Sequence, residues 1–221
     1  DIDVLSALNG SNTFAWYENT MEKGIITGWT EAFITTSADE ANGERSVYAV
    51  DVDSDGDMDV LSSSQGDDKI AWYENNGSQS FTEHVISTSA DWARSVYAVD
   101  VDSDGDMDVL SASSYDDKIA WYENNGSETF TAHTIRTSAE TAKSVYALDM
   151  DGDGDMDVLS ASVTDDKIAW YENDGSESFT EHAISTSADG AISVYAADVD
   201  GDEDLDVLSA SEEDDKIAWY E

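Results

Sequence analysis

Ser46-Val47-Tyr48-Ala49-Val50-Asp51-Val52-Asp53-Ser54-Asp55-Gly56-Asp57-Met58-Asp59-Val60-Leu61-Ser62 is the stretch that decides the fold. Two short apolar runs flank a loop that carries Asp at alternate positions and Gly at its sixth. Runs this short, rich in β-branched residues and bounded by turn residues, read as strands, and the Gly supplies a sharp turn. Reading outward, strands are expected at 46–51 and 58–62, a polar turn at 65–68 and a third strand at 69–74. Asn75-Asn76-Gly77-Ser78 is a strong turn signal, and a fourth strand follows at 81–88. Four short strands with turns between them and no helical period describe one blade of a propeller.

The stretch is repeated. Ser46-Val47-Tyr48-Ala49 returns at Ser95, Ser144 and Ser193, each time after 49 residues. Ala71-Trp72-Tyr73-Glu74 returns at Ala120, Ala169 and Ala218, and an earlier copy begins at Ala15, 56 residues upstream. The seven extra residues are assigned to two loops, near 21–28 and 40–44. Such self-similarity fixes the architecture before any single residue does. The expectation is one all-β domain over 1–221, a β-propeller of four-stranded blades with about five 49-residue units. These units run approximately over 1–45, 46–94, 95–143, 144–192 and 193–221, and the terminal ones are incomplete. The chain then reads either as a window on a longer array or as one whose open edges pair with another chain.

With 40% hydrophobic and 10% aromatic residues the chain can bury a core, which excludes a disordered acidic tail. Nine basic residues against 51 acidic ones give a formal charge of -42, which repels nucleic acid and anionic membrane, and no basic patch is visible to overcome it. Without cysteine, disulfides contribute nothing, although a metal can staple a secreted protein instead. No apolar run reaches the roughly 18 residues of a membrane span, and the first residues do not read as a signal peptide.

The loop follows the pattern D-x-D-x-D-G-x-x-D. Alternate carboxylates in a tight turn bring hard oxygens onto one point, which suits calcium better than magnesium, since magnesium prefers fewer protein ligands. The candidate ligands of the first intact loop are Asp51, Asp53, Asp55, Asp57 and Asp59, with the seventh position offering its backbone carbonyl and the ninth its carboxylate. The second loop has Asp100, Asp102, Asp104, Asp106 and Asp108, and the third has Asp149, Asp151, Asp153, Asp155 and Asp157. The fourth has Asp198, Asp200, Asp202, Asp204 and Asp206, but Glu203 replaces the Gly, so strain at positive φ and a weaker or distorted site are expected. The first unit retains only Asp1 and Asp3. About three to four calcium ions are expected. Position twelve is Ser62, Ser111, Ser160 or Ser209, where an EF-hand would carry Glu.

The acidic loop between two strands, followed by Val60-Leu61, resembles the FG-GAP/VCBS repeat family, to which the propellers of integrin α-subunits are similar. The resemblance covers essentially the whole chain. It implies an extracellular or cell-surface propeller with calcium in loops on one rim, carried loop by loop on the Asp positions above.

Other repeated residues have simpler readings. Trp16, Trp72, Trp121, Trp170 and Trp219 are expected to fill the space between blades rather than to stack on sugars. His84, His133 and His182, one per unit, are expected at the surface. Asp67-Asp68-Lys69 and its copies read as a polar turn with a local ion pair. The sequons at Asn9, Asn76 and Asn125 are also ordinary hairpin-turn chemistry. No catalytic constellation is visible, and near-identical units argue against an enzyme. The expected role is structural or adhesive, with self-assembly through the incomplete terminal blades. The rivals are a carbohydrate-binding lectin and a non-catalytic module of a larger secreted enzyme. The partners considered are accordingly calcium, other copies of the chain and glycans.

Overall fold

The computed structural model describes residues 3–8, 13–22, 25–35 and 43–221. Asp1 and the sequon at Asn9 lie outside the described residues. Among the described residues every regular element is a strand, and five antiparallel sheets follow one another as the blades of a propeller. Blade 1 consists of Val4–Leu8, Thr13–Glu22 and Ile25–Thr35, which are the second to fourth strands of the repeat. Blade 2 has all four, Glu44–Val50, Asp59–Ser64, Lys69–Asn75 and Phe81–Ser87. Blade 3 runs through Ala93–Val99, Asp108–Ser113, Lys118–Asn124 and Phe130–Arg136. Blade 4 runs through Ala142–Leu148, Asp157–Ser162, Lys167–Asn173 and Phe179–Ser185. Blade 5 has Ala191–Ala197, Asp206–Ser211 and Lys216–Tyr220. The repeat is thus one blade long, as the sequence implies.

The core lies between blades, because the second and third strands of a blade are buried on both faces. Leu61, Ile70 and Trp72 of blade 2 meet Val96, Ala98, Val109 and Tyr122 of blade 3. Leu110, Ile119 and Trp121 of blade 3 meet Val145, Val158 and Tyr171 of blade 4 in the same manner. Trp72 and Trp121 are 0% and 1% exposed, so here the tryptophans fill the joints between blades. In blade 5 the equivalent face is open, with Ile217 86% and Trp219 48% exposed. First strands of neighbouring blades stand side by side, and their tyrosines form a ladder. Ring centroids lie 4.8 Å apart from Tyr48 to Tyr97, 4.9 Å to Tyr146 and 4.8 Å to Tyr195.

Two expectations about the first unit change. The insertion near 21–28 is not a loop, because Thr13–Glu22 and Ile25–Thr35 continue as one long hairpin with Met21 opposite Ile26. Extra residues that can keep pairing lengthen a hairpin without leaving backbone groups unpaired. Of the second insertion, residues 40–42 lie outside the described residues, whereas Glu44 already belongs to a strand and is buried.

The Asp-Asp-Lys turn does more than its sequence suggests. Its first Asp behaves as expected: Asp116 accepts from Ser113 Oγ and pairs with Lys118, and Asp67 does the same with Ser64 and Lys69. Its second Asp braces the connection to the next blade. Asp68 adopts φ 57° and accepts the Ala90 N–H on its backbone carbonyl and the Trp92 N–H on Oδ1, at 3.1 and 2.9 Å. The other side of the same connection bonds forward: Ser114 N–H donates to the Trp92 carbonyl and Tyr115 N–H to that of Asp91, both at 3.1 Å. Each strap is therefore zipped between two successive turns. Asp117 and Asp166 repeat the arrangement with Thr141 and Gly190.

Candidate functional site

The four complete acidic loops join the first and second strands of blades 2 to 5 and share one rim. A loop begins with its first carboxylate bonded to its own backbone. Asp51 Oδ2 accepts the Gly56 N–H at 3.1 Å, and Asp100 Oδ2 and Asp149 Oδ2 accept those of Gly105 and Gly154. The third-position carboxylate, Asp53, Asp102, Asp151 or Asp200, accepts the N–H two residues ahead at 3.1–3.2 Å. Such Asx turns fold the loop from its own side chains.

The ninth position is the structural anchor. Asp59 is fully buried; Oδ2 accepts the Val52 N–H at 2.9 Å and Oδ1 the Asn75 N–H at 2.8 Å. Asp108 and Asp157 make the same pair of bonds, to Val101 and Asn124 and to Met150 and Asn173. Asp206 bonds Val199, and Asp3 of the incomplete first unit keeps the strand bond to Asn19 at 2.9 Å. The loop's second residue, Val52 or Val101, is pressed into the inter-blade core, which fixes the loop to the joint it caps.

The structure brings the first, third and ninth carboxylates together. One oxygen from each of Asp51, Asp53 and Asp59 lies within 4.8 Å of the others, as for Asp100, Asp102 and Asp108, for Asp149, Asp151 and Asp157, and for Asp198, Asp200 and Asp206. Fifth-position carboxylates stay outside these triads: Asp55, Asp104 and Asp153 are exposed and accept the N–H two residues on. Asp202 accepts from Asp204 and groups instead with Asp200 and Glu221, a combination the loop pattern does not show. At the seventh position, Asp57, Asp106 and Asp155 lie over Gly77, Gly126 and Gly175 of the next hairpin, close enough that a Cβ on any of these glycines would overlap the carboxylate. Asp204 is exposed.

Electrostatics follow from burial and crowding. Burial pushes Asp59, Asp108 and Asp157 upward, Asp108 to about 6, against the lowering effect of their N–H donors. Asp53, Asp102 and Asp200 are also raised, chiefly by desolvation, with neighbouring carboxylates adding to it. The indole of Trp72 favours the charged form of Asp59, but its Nε1 lies outside hydrogen-bond geometry. In the first triad, Asp51 Oδ1 is buried with no hydrogen-bond partner. A buried carboxylate oxygen without a donor, on a residue grouped with two further carboxylates, could hold a hard cation. The donor set is all oxygen, as calcium requires.

Glu203 has φ 78°, where Gly56, Gly105 and Gly154 have 96°, 100° and 101°. The loop keeps its shape nonetheless, for the Glu203 N–H still reaches Asp198 Oδ2 at 3.2 Å. Position twelve is turned inward: Ser111, Ser160 and Ser209 meet the hydroxyls of Tyr122, Tyr171 and Tyr220. The histidines are not simply solvated. His84 stacks on Trp72 with centroids 4.5 Å apart and holds Glu74 at 2.8 Å, and His133 and His182 repeat this. Cross-strand pairing of Trp with His, visible only once the register is known, was the missing signal.

No helix among the described residues is long and apolar enough to cross a membrane. No curated protein matches the chain. Among solved structures, the crystal structure of the V. cholerae biofilm matrix protein Bap1 is similar in fold, with a TM-score of 0.54 and 18% sequence identity over 99% of this chain. The chain spans 36% of that protein's length. The family model for the FG-GAP-like repeat matches residues 1–62, 51–111, 100–160 and 149–209. With its repeated acidic loops and matches running almost end to end, the chain belongs to the FG-GAP-like repeat family.

Proposed function

We propose that the chain is an extracellular calcium-binding repeat module with a structural or adhesive role and no catalytic activity. The observation that carries this reading is the repeated convergence of three carboxylates at one loop position, with Asp51 Oδ1 buried and unpartnered. The first, third and ninth residues of each loop would hold the ion, and the backbone carbonyl of the seventh is a further donor. Calcium would neutralise the crowded acids and lock the loop to the joint between blades. The fold shared with a biofilm matrix protein supports an extracellular setting. Glycosylation at the exposed Asn76 and Asn125 belongs to the same reading.

Calorimetric titration of calcium into chelator-stripped protein, paired with thermal melts, tests it. Binding of about three to four ions with a large rise in melting temperature is the expected outcome. A metal-free sample that melts like the calcium-loaded one would show the loops to be solvated turns and remove the reading.

A further inference from the structure

The rim opposite the acidic loops carries a different chemistry. Each first strand contains a β-bulge near its start, at Arg45, Arg94, Lys143 and Ile192, where the register against the second strand slips by one residue. A bulge re-aims its side chain out of the ordinary alternation. Three consecutive bulges therefore present cations from strands that stand side by side. The chain has only nine Lys and Arg residues, and among the described residues five of them pair with carboxylates within 4.0 Å. Arg45, Arg94 and Lys143 do not. Arg45 Nε donates to Gln65 Oε1 at 2.6 Å and Arg94 Nε to Ser114 Oγ at 3.2 Å. Ser114 Oγ in turn donates to the Ala142 carbonyl at 2.7 Å, which holds Arg94 beside Lys143. Burial first, and then Arg94 and Arg45, disfavours the charge on Lys143, with Glu212 as the tempering acid, and burial followed by Arg45 disfavours that on Arg94. A sequence with no visible basic patch is thus folded into one.

An aromatic platform adjoins these cations and, among the described residues, occurs at one joint only. Trp92 lies in the strap between blades 2 and 3, edge-on to Tyr115 at 4.1 Å, and the Arg94 guanidinium sits 5.1 Å from the Trp92 ring centre. Tyr115 is 62% exposed. The same positions at later joints hold Thr141 and Thr164, then Gly190 and Glu213. The strap bonds through its backbone at all three joints from blade 2 to blade 5, so the fold does not require these aromatic residues.

We propose that this rim binds an acidic sugar residue of a polysaccharide, with the pyranose ring on Tyr115 and Trp92 and the carboxylate among Arg45, Arg94 and Lys143. Aromatic faces take the apolar face of a sugar, and an Arg and Lys cluster takes its carboxylate. With a charge of -42 on the whole chain, a densely charged polyanion is repelled before contact, whereas an isolated carboxylate is accepted locally. The site needs no calcium.

Calorimetry on the calcium-saturated protein tests the proposal, with aldotetraouronic acid, which carries one uronate on three neutral sugars, as the probe and its methyl ester as the uncharged control. The expected result is binding of the acid and not of the ester, weakened at least about tenfold by the triple variant R45Q/R94Q/K143Q and by Tyr115→Ala. Melts of both variants verify the fold, and removing mutually repelling charges is expected to leave melting unchanged or higher. No binding of the acid, equal binding of the ester, or undiminished binding by the triple variant would each overturn the site. The last outcome would place the sugar on the calcium loops instead.

Discussion

The backbone N–H of Asn75 donates to the buried carboxylate of Asp59 at 2.8 Å, tying the end of a third strand to the last residue of the acidic loop. Asp59 therefore holds the blade together in addition to facing the carboxylates of Asp51 and Asp53. Asp59→Ala leaves the N–H groups of Val52 and Asn75 without their acceptor. It is expected to destabilise even calcium-free protein by about 2–4 kcal/mol. Asp55→Ala, at an exposed position, should cost less than about 1 kcal/mol in the same urea titration. Equal costs would show that the ninth residue acts only through the ion.

Gly77 has φ 70°, and a Cβ there would overlap the Asp57 carboxylate. Gly77→Ala is expected to lower stability by about 1–2 kcal/mol. Adding Asp57→Ala should recover the steric part, leaving the conformational part. A double-mutant cycle in denaturant reads the coupling, which vanishes if the two residues do not meet.

Replacing Glu203 by Gly removes a non-glycine residue from φ 78°. The expected gain is about 1 kcal/mol, seen as a higher melting temperature. If calcium binds as proposed, calorimetry should also show the weakest site becoming tighter. An unchanged melt would mean that the loop carries no strain at this residue.

Glu44 stands where later units have Ala93, Ala142 and Ala191. Only 2% exposed and without hydrogen bonds to its carboxylate, it is pushed from 4.5 to about 7 by burial first and then by Asp67, partly offset by Lys69. Between pH 4.5 and about 7 the folded state keeps a proton that the unfolded chain has released. Stability is therefore lost as pH rises through that window, by roughly 3 kcal/mol in all. Glu44→Ala should flatten this slope and raise the melting temperature at neutral pH. Parallel slopes for the two proteins would rule out Glu44 as its source.

The loops and the blade count were legible because each is local and recurs. Alternate Asp residues around Gly56 specify an Asx-turn loop without reference to the rest of the chain. What the sequence hid depends on neighbours distant along it. The register slip at Arg94 is invisible to a period-of-two pattern, so the convergence of Arg45, Arg94 and Lys143 could not be anticipated. The reach of Asp68 to Trp92 crosses 24 residues, and nothing near Asp68 announces it. The continued hairpin around Met21 and Ile26 looks like a loop in the sequence because its pairing depends on register rather than composition. Within the acidic loop, spacing offers the first, third, fifth and ninth carboxylates alike. Burial separated them, by drawing the ninth inward and leaving the fifth outside.

The strap between blades bonds backward to Asp68 and forward to Ser114 and Tyr115, almost entirely through main-chain groups. Each unit thus carries one half of the joint on either side of itself. Duplication of any 49-residue stretch of the gene inserts a blade whose two joints already match its neighbours. The array can lengthen or shorten by whole units, and the strap side chain, freed from that duty, can diverge from one joint to the next, as Trp92, Thr141 and Gly190 have done.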